Sequence, residues 1–150
     1  MFERILVAID ASDYDDKTLK ATADLAKISG SEVEVLHVRE RHFIGRADGV
    51  SNERTTQAWR DWQTREHAEA TKVVNDAVAQ LTSAGVTAVG EVREALDGRV
   101  ASEILEEAGS TGASIIVMGC HGAGHLQALL LGSTTHKVLH LGKLPVLVVR

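Results

Sequence analysis

The 150-residue chain has little of several residue types, and each scarcity narrows its fold and function. Aromatic residues make up only 3% of it, so a hydrophobic core must consist of valine, leucine, isoleucine and alanine. The one cysteine, Cys120, cannot form a disulfide within the chain, which is typical of a reducing compartment. No apolar run approaches the roughly 18 residues that a membrane helix needs. We therefore expect a cytoplasmic protein with an aliphatic core.

The chain also has fewer basic than acidic residues. Sixteen basic residues against twenty-one acidic ones leave a net charge of −5, which argues against a nucleic-acid surface or an anionic-membrane surface. Glu3 precedes only a short apolar run, so we expect neither a signal peptide nor a membrane span there. The length predicts one domain over residues 1–150. Any anionic ligand must then bind at a local site.

Apolar runs and amphipathic stretches alternate along the chain. The predicted strands are residues 4–9, 32–38, 86–94, 115–118 and 145–149, and the predicted helices begin near residues 12, 53, 99 and 133. Gly90 interrupts the third strand and indicates a position at an edge of the sheet. Such alternation requires right-handed crossovers and predicts a doubly wound α/β domain, with a parallel sheet and helices on both faces.

Three local patterns lead to further predictions. Ser12, with Asp15 three residues later, predicts the N-cap of the first helix. Residues 39–52 are polar, contain glycine and lack a clear period, which predicts a mobile loop. Trp59 and Trp62 lie three residues apart on the long second helix, where we expect them to pack against the sheet or a partner.

The most informative stretch follows the fourth predicted strand. Gly119 and Gly122 end this apolar run, and Gly132 with Ser133 then opens an amphipathic helix. Glycine lets main-chain N–H groups approach a ligand, and a helix N-terminus adds donors and a partial positive charge. The pattern is neither a P-loop, which needs Gly-Lys-Ser/Thr, nor the dinucleotide fingerprint, whose glycines are closer together. It predicts a phosphate cradle, with plain turn and cap glycines as the alternative.

The spacing Gly119-x2-Gly122-x9-Gly132-Ser133 resembles the ATP-binding signature of the universal stress protein family. Residues 1–10, 35–38 and 144–149 are similar to that family's first, second and last strands, so the resemblance extends over the whole chain. It implies a five-stranded sheet of order 3-2-1-4-5, which the residues alone do not determine. Ligands of such sheets bind where the strand order reverses, here between the first and fourth strands.

The resemblance implies eight residues that bind ATP, with Mg²⁺: Asp10, Val38, Met118, Gly119, Gly122, Gly132, Ser133 and Thr134. The glycines and hydroxyl residues would hold the triphosphate. Asp10 would accept hydrogen bonds from ribose or stand beside a metal ion, and otherwise it is a helix-entry residue. Val38 would hold the adenine edge through its backbone, and Met118 would cover the base. Both are alternatively core residues.

Cysteine and histidine residues near the motif raise two other possibilities. Cys120 lies where this family more often has serine or threonine, and a thiol near a helix N-terminus can become reactive. The alternative is a small residue tolerated at a turn. His136 and His140, and likewise His121 and His125, are four residues apart, but no acidic residue lies between them as in His-Glu-x-x-His. We expect solvated helix faces and no metal site.

The favoured function is an ATP-binding regulatory or stress-response module that signals its ligand state to a protein partner. One alternative is a slow ATPase or nucleotidyl-transfer enzyme that uses Asp10 and a divalent metal, although no positioned catalytic base is evident. Another is a dimeric structural module without nucleotide. Residues 145–149 are nearly all apolar, and the resemblance implies a homodimer in which two such edge strands pair about a two-fold axis.

Overall fold

The computed structural model of the chain describes residues 2–41, 53–120 and 131–150. Strands and helices alternate through this part in the order β1(Arg4–Ile9), α1(Asp15–Ser29), β2(Glu32–Arg41), α2(Glu53–Ser83), β3(Ala88–Leu96), α3(Val100–Ser110), β4(Ile115–Gly119), α4(Ser133–Leu141) and β5(Val146–Val149). β2 extends three residues beyond its predicted end, into the segment expected to be a mobile loop. The remainder of that predicted loop, residues 42–52, lies outside the described residues.

All five strands are parallel and lie in the order β3-β2-β1-β4-β5, so the predicted architecture is confirmed. β1 is central because its apolar residues suit burial on both faces of the sheet. The strand order reverses between β1 and β4. β3 is an edge strand, as the glycine in its sequence predicted.

Two aliphatic cores cover the two faces of the sheet. In β1, Ile5 and Val7 belong to the core under α1 and α2, whereas Leu6 belongs to the core under α3 and α4. This alternation follows from the two-residue period of a strand. Gly90 of β3 lies so close to α2 that a Cβ there would stand 2.2 Å from the Cγ1 atom of Val74. The glycine therefore allows α2 to lie directly on the edge strand.

The first half of α2 carries the two tryptophans outside both core clusters. Their rings stack with centroids 5.1 Å apart, and Trp59 and Trp62 are 37% and 42% exposed. With 31 residues, α2 is about 46 Å long, whereas the nine residues of β3 span about 30 Å. The buried residues of the helix begin at Ala70, so the tryptophans do not pack into the core against the sheet, which was one of the two predicted arrangements. Their packing against a partner stays a prediction.

The first helix begins at Asp15, three residues after the predicted N-cap. Tyr14 occupies the cap position without a side-chain cap hydrogen bond, and the hydroxyl of Ser12 instead accepts a hydrogen bond from the Tyr14 N–H at 3.4 Å. The helix starts later than predicted because a turn precedes it, in which Ala11 has a φ of 61°. Gly30 ends the helix with a φ of 69°, a left-handed conformation that glycine adopts without strain.

A buried charged cluster attaches α3 to the sheet below the carboxyl ends of the strands. Glu34 of β2 is only 6% exposed, and Glu107 of α3 is buried beside it. Arg93 of β3 pairs with Glu107 and, at 2.9 Å, with Glu103. Burial raises the pKa of Glu34, and its hydrogen bond with the Glu107 carboxyl raises it further. The cluster fixes α3 and hence one wall of the cavity described next.

Candidate functional site

A cavity of about 500 Å³ opens beyond the carboxyl ends of β1, β2 and β4, where the strand order reverses. Seven of the eight predicted site residues line it, namely Asp10, Val38, Met118, Gly119, Gly132, Ser133 and Thr134. Gly122 lies outside the described residues. The fold thus brings together residues that are more than 100 positions apart in the chain.

One wall of the cavity is apolar. Its side chains are those of Ala8, Leu36, Val38, Val100, Ile104 and Met118. β1 ends at Ile9, which pairs with His37, so Val38 is the first residue of β2 beyond the end of β1. From Val38 onward β2 still pairs with β3, but its other edge has no β1 residue beside it. An apolar wall next to such a one-sided strand edge suits a planar heteroaromatic ring with polar edge atoms.

The loop that leads into α3 completes this wall. Gly98 has a φ of 72°, a conformation in which a side chain would be strained. Its N–H donates to the Glu40 carboxylate, and its carbonyl accepts from the Lys137 ammonium at 3.3 Å. β2 and α4 therefore hold the turn from two sides, and Val100 follows it at the start of α3. The sequence offered no specific signal for Glu40 or Val100 as lining residues.

The opposite wall is the N-terminus of α4. Gly132 occupies its cap position, and no side-chain cap hydrogen bond is found among the described residues. The first helical hydrogen bond runs from the His136 N–H to the Gly132 carbonyl, so the N–H groups of residues 133–135 have no acceptor within the helix. Thr135 donates its hydroxyl to the Gly119 carbonyl at 2.9 Å and so joins the helix to the end of β4. This geometry suits an anion.

Cys120 is part of the scaffold under this wall. It is 3% exposed, its N–H donates to the Val149 carbonyl at 2.8 Å, and its carbonyl accepts from the Gly132 N–H at 2.7 Å. Reactive thiols are generally partly exposed. The burial of Cys120 favours the interpretation of a small structural residue.

Asp10 follows β1 in a tight turn that also contains a second carboxylate. An oxygen of Asp10 accepts from the Ser12 N–H at 3.1 Å, and an oxygen of Asp15 accepts from the Asp10 N–H at 3.3 Å. Burial raises the pKa of Asp15 to about 6. The nearby Asp10 carboxylate adds to this rise, while hydrogen bonds from the N–H groups of Asp10 and Ala11 oppose it. From the sequence, Asp15 is identified only as the residue three positions after the predicted N-cap, Ser12.

Carboxylates are the only charged groups in the described lining. Asp10, Asp15 and Glu40 line the cavity, and the described lining residues include no lysine, arginine or histidine. Within that lining, an anion can therefore be bound only by main-chain N–H groups and hydroxyls. The carboxylates are suited to accept hydrogen bonds from ligand hydroxyls.

Among the described residues, the remaining histidine candidates form no metal site. His136 and His140 are exposed on α4 with their ring centroids 6.3 Å apart, and His121 and His125 lie outside the described residues. Across residues 2–41, 53–120 and 131–150, no group of three histidine, cysteine or acidic residues is arranged to hold a metal ion. In the same part of the chain, no helix is both long and apolar enough to cross a membrane.

Comparison with known proteins gives a family match over the whole chain. The model of the universal stress protein family matches residues 1–150. Universal stress protein YxiE of Bacillus subtilis (strain 168) is 36% identical over 151 residues, with both chains covered completely. The solved structure of hypothetical protein MJ0577, from Methanocaldococcus jannaschii, has a TM-score of 0.79 at 26% identity and covers 99% of this chain and 96% of its own. An Archaeoglobus fulgidus universal stress protein, solved in complex with dAMP, shares the fold with a TM-score of 0.69 at 20% identity, covering 99% and 98%.

Proposed function

Because the chain belongs to the universal stress protein family, we propose that its cavity binds an adenine nucleotide, that this nucleotide is ATP, and that a protein partner senses the ligand state. The main support is the convergence of β1, β4 and the α4 N-terminus on one cavity that contains seven predicted site residues. The dAMP complex of the Archaeoglobus protein adds support, because a related fold there holds an adenine nucleotide. As part of the same proposal, the protein acts in the cytoplasm.

Each part of the ligand has a matching part of the cavity. The adenine ring lies against the apolar wall, with its edge on the Val38 backbone and Met118 over its face. Asp10 accepts a hydrogen bond from the ribose. The phosphates lie at the N-terminus of α4, where Ser133 and Thr134 offer N–H groups and hydroxyls, and where Gly132 has no side chain to block their approach. Gly122 belongs to the proposed phosphate site on its sequence position alone.

The proposal includes Mg²⁺ bound to the phosphates of ATP. The described phosphate end of the cavity has no basic side chain to balance a triphosphate, so a phosphate-bound cation would supply the missing positive charge. Mg²⁺ commonly keeps several waters and relies on phosphate oxygens more than on a protein cage. Asp10 is assigned to the ribose in this arrangement.

The first test measures the nucleotide content of the purified protein and then the affinity for MgATP by calorimetry. In Asp10→Ala, the loss of a ribose hydrogen bond should weaken binding by about 1–3 kcal/mol. Asp13→Ala is the matched control, because Asp13 is exposed in the same loop and does not line the cavity. Equal affinity of Asp10→Ala and the unmodified protein would remove Asp10 from the site.

Gly132→Val tests the phosphate cradle. The backbone at Gly132, with φ −55° and ψ 146°, accepts a side chain, so the fold should persist while valine narrows the approach to α4. Affinity for ATP should fall more than affinity for adenosine, which has no phosphate to exclude. An unchanged ATP affinity would contradict the cradle.

Turnover of MgATP distinguishes the proposed module from the alternatives named above. A binding module should hold ATP without appreciable phosphate release, whereas sustained turnover that Asp10→Ala abolishes would favour the enzyme. A protein that neither copurifies with nucleotide nor binds it would favour the structural module.

The proposal also includes a homodimer through β5. This strand pairs with β4 on one side, and no other described strand pairs with it on the other. Leu139, Leu141 and Leu147 are exposed on α4 and β5, at 44%, 59% and 37%. Antiparallel pairing of two β5 edges about a two-fold axis would satisfy both sets of backbone groups.

Light scattering tests this interface with one substitution on each edge of the sheet. Leu147→Lys should give monomers, because it adds a charge beside the pairing edge. Val89→Lys on the opposite edge strand is the matched control, since Val89 is 63% exposed, and it should remain dimeric. A monomeric unmodified protein, or a dimer that persists in Leu147→Lys, would contradict the β5 interface.

A further inference from the structure

The turn after β1 contains a carboxylate that does not belong to the proposed ligand contacts. Asp15 is the first residue of α1, yet its side chain points back to accept the N–H of Asp10 at 3.3 Å. Between them, Ala11 has a φ of 61°, a left-handed conformation that is strained for a residue other than glycine. A strained turn persists only where its surroundings hold it, and the Asp15 side chain supplies one such contact.

Asp15 also contributes charge to the cavity that it lines. The titratable residues of the described lining are Asp10 just after β1, Tyr14 and Asp15 at the N-cap and first position of α1, and Glu40 of β2. The described lining contributed by α3, β4 and α4 is uncharged. His37, nearby on β2, is bound through Nδ1 to the Ile9 carbonyl. Asp15 therefore shares its side of the cavity with another carboxylate and no described cation.

We propose that Asp15 is a positioning residue for Asp10: it holds the turn that directs Asp10 into the cavity, and its ionisation makes binding of an anionic nucleotide depend on pH. This inference rests on the proposed function. Asp15 loses its proton near pH 6, according to its raised pKa. An anion bound beside it disfavours the charged form, so nucleotide binding takes up protons near that pH.

Two substitutions separate the two roles of Asp15. Asp15→Asn keeps an oxygen that accepts the Asp10 N–H but removes the charge. Asp15→Ala removes both, so a comparison of these two neutral variants isolates the hydrogen bond. Asp16→Asn is the matched control, because Asp16 is exposed in the same helical turn and does not line the cavity. The probe is MgATP, with affinity and proton uptake measured by calorimetry in buffers of different ionisation enthalpy.

The charge role predicts a difference that depends on pH. Near pH 8, Asp15→Asn should bind MgATP about threefold tighter than the unmodified protein, since one repulsive charge is gone. The difference should vanish near pH 5, where Asp15 is protonated in both the free and the bound protein. Proton uptake on binding near pH 6 should be smaller in Asp15→Asn, whereas Asp16→Asn should match the unmodified protein. Equal proton uptake in Asp15→Asn and the unmodified protein would overturn this role.

The positioning role predicts that Asp15→Ala binds MgATP at least about threefold weaker than Asp15→Asn at every pH. In an Asp10→Ala background, this difference should disappear, because the turn no longer carries a ligand contact. Equal MgATP affinity of Asp15→Ala and Asp15→Asn would refute the positioning role. A difference in affinity that persists in the Asp10→Ala background would refute it as well. The proposed function is contradicted by a different result, namely that the unmodified protein itself binds no nucleotide. Far-ultraviolet circular dichroism verifies that each variant is folded.

Discussion

Gly90→Ala should destabilise the protein through one contact between β3 and α2. The added Cβ would lie 2.2 Å from Cγ1 of Val74 and 3.0 Å from Cγ2 of Val78. Carbon atoms normally pack about 3.5–4.0 Å apart, and Val74 is only 3% exposed, so helix and strand must move apart. Overpacking of this kind costs about 1–3 kcal/mol. The smaller entropy of the unfolded alanine chain offsets about 0.4–1 kcal/mol of that cost.

Urea unfolding at a fixed protein concentration measures this effect, with Val74→Ala as the rescuing substitution. Val74→Ala alone should cost about 1–3 kcal/mol through lost burial and a cavity. The double variant Gly90→Ala/Val74→Ala should be destabilised by at least about 1 kcal/mol less than the sum of the two single effects, because the new methyl group occupies the space that Val74 vacates. Gly109→Ala in α3 is the matched control: its Cβ meets nothing within 4 Å, and it should stabilise the helix by about 0.5–1 kcal/mol. Additive effects of the two substitutions, or full stability of Gly90→Ala, would refute the argument.

Three further substitutions test other parts of the fold. Burial raises the pKa of Glu34 above its ordinary value of 4.5, so the unmodified protein loses folding stability as pH rises through the folded-state pKa. Glu34→Gln should remove this loss, so in urea titrations its stability relative to the unmodified protein should increase as pH rises above about 4.5. A flat difference would mean that Glu34 is ionised at little cost. Gly30→Ala should lower the free energy of unfolding by about 1–2 kcal/mol, because alanine is strained at a φ of 69°, and an unchanged urea midpoint would contradict this. Thr135→Val leaves the half-buried Gly119 carbonyl without its hydroxyl donor, so it should lower the free energy of unfolding by about 1–3 kcal/mol and weaken MgATP binding. Unchanged stability and unchanged affinity would contradict a role for this hydrogen bond.

The features that were predictable from the sequence are those that depend on neighbours in the chain. Runs such as Arg4–Ile9 identify buried strands by their apolar content, and Gly30 marks a helix end by its backbone freedom. Local patterns also located Asp10 and Gly132 at the ends of elements. That they meet in one cavity depended on the strand order, which came from the family resemblance and which the structure confirms.

The features that were missed depend on neighbours in space. Glu34 alternates with valines in β2, a pattern typical of a solvent-facing residue, but α3 covers it and brings Glu107 to it. Ser12 has the right residue type and spacing for an N-cap, but the left-handed turn at Ala11 moves the start of the helix to Asp15. That same turn gives Asp15 its contact with the preceding strand, which helix-start patterns do not encode.

The stacked pair on the first half of α2 determines what optical spectroscopy of this protein measures. Trp59 and Trp62 are its only tryptophans, and both lie on the part of the helix that extends beyond the core. Ring proximity of this kind couples their excited states, so emission intensity and the aromatic circular dichroism bands report whether these few helical turns are intact. Local fraying of α2 would change these signals while the sheet remains folded. Tryptophan fluorescence is therefore a probe of this helical extension, and backbone circular dichroism is the measure of global unfolding.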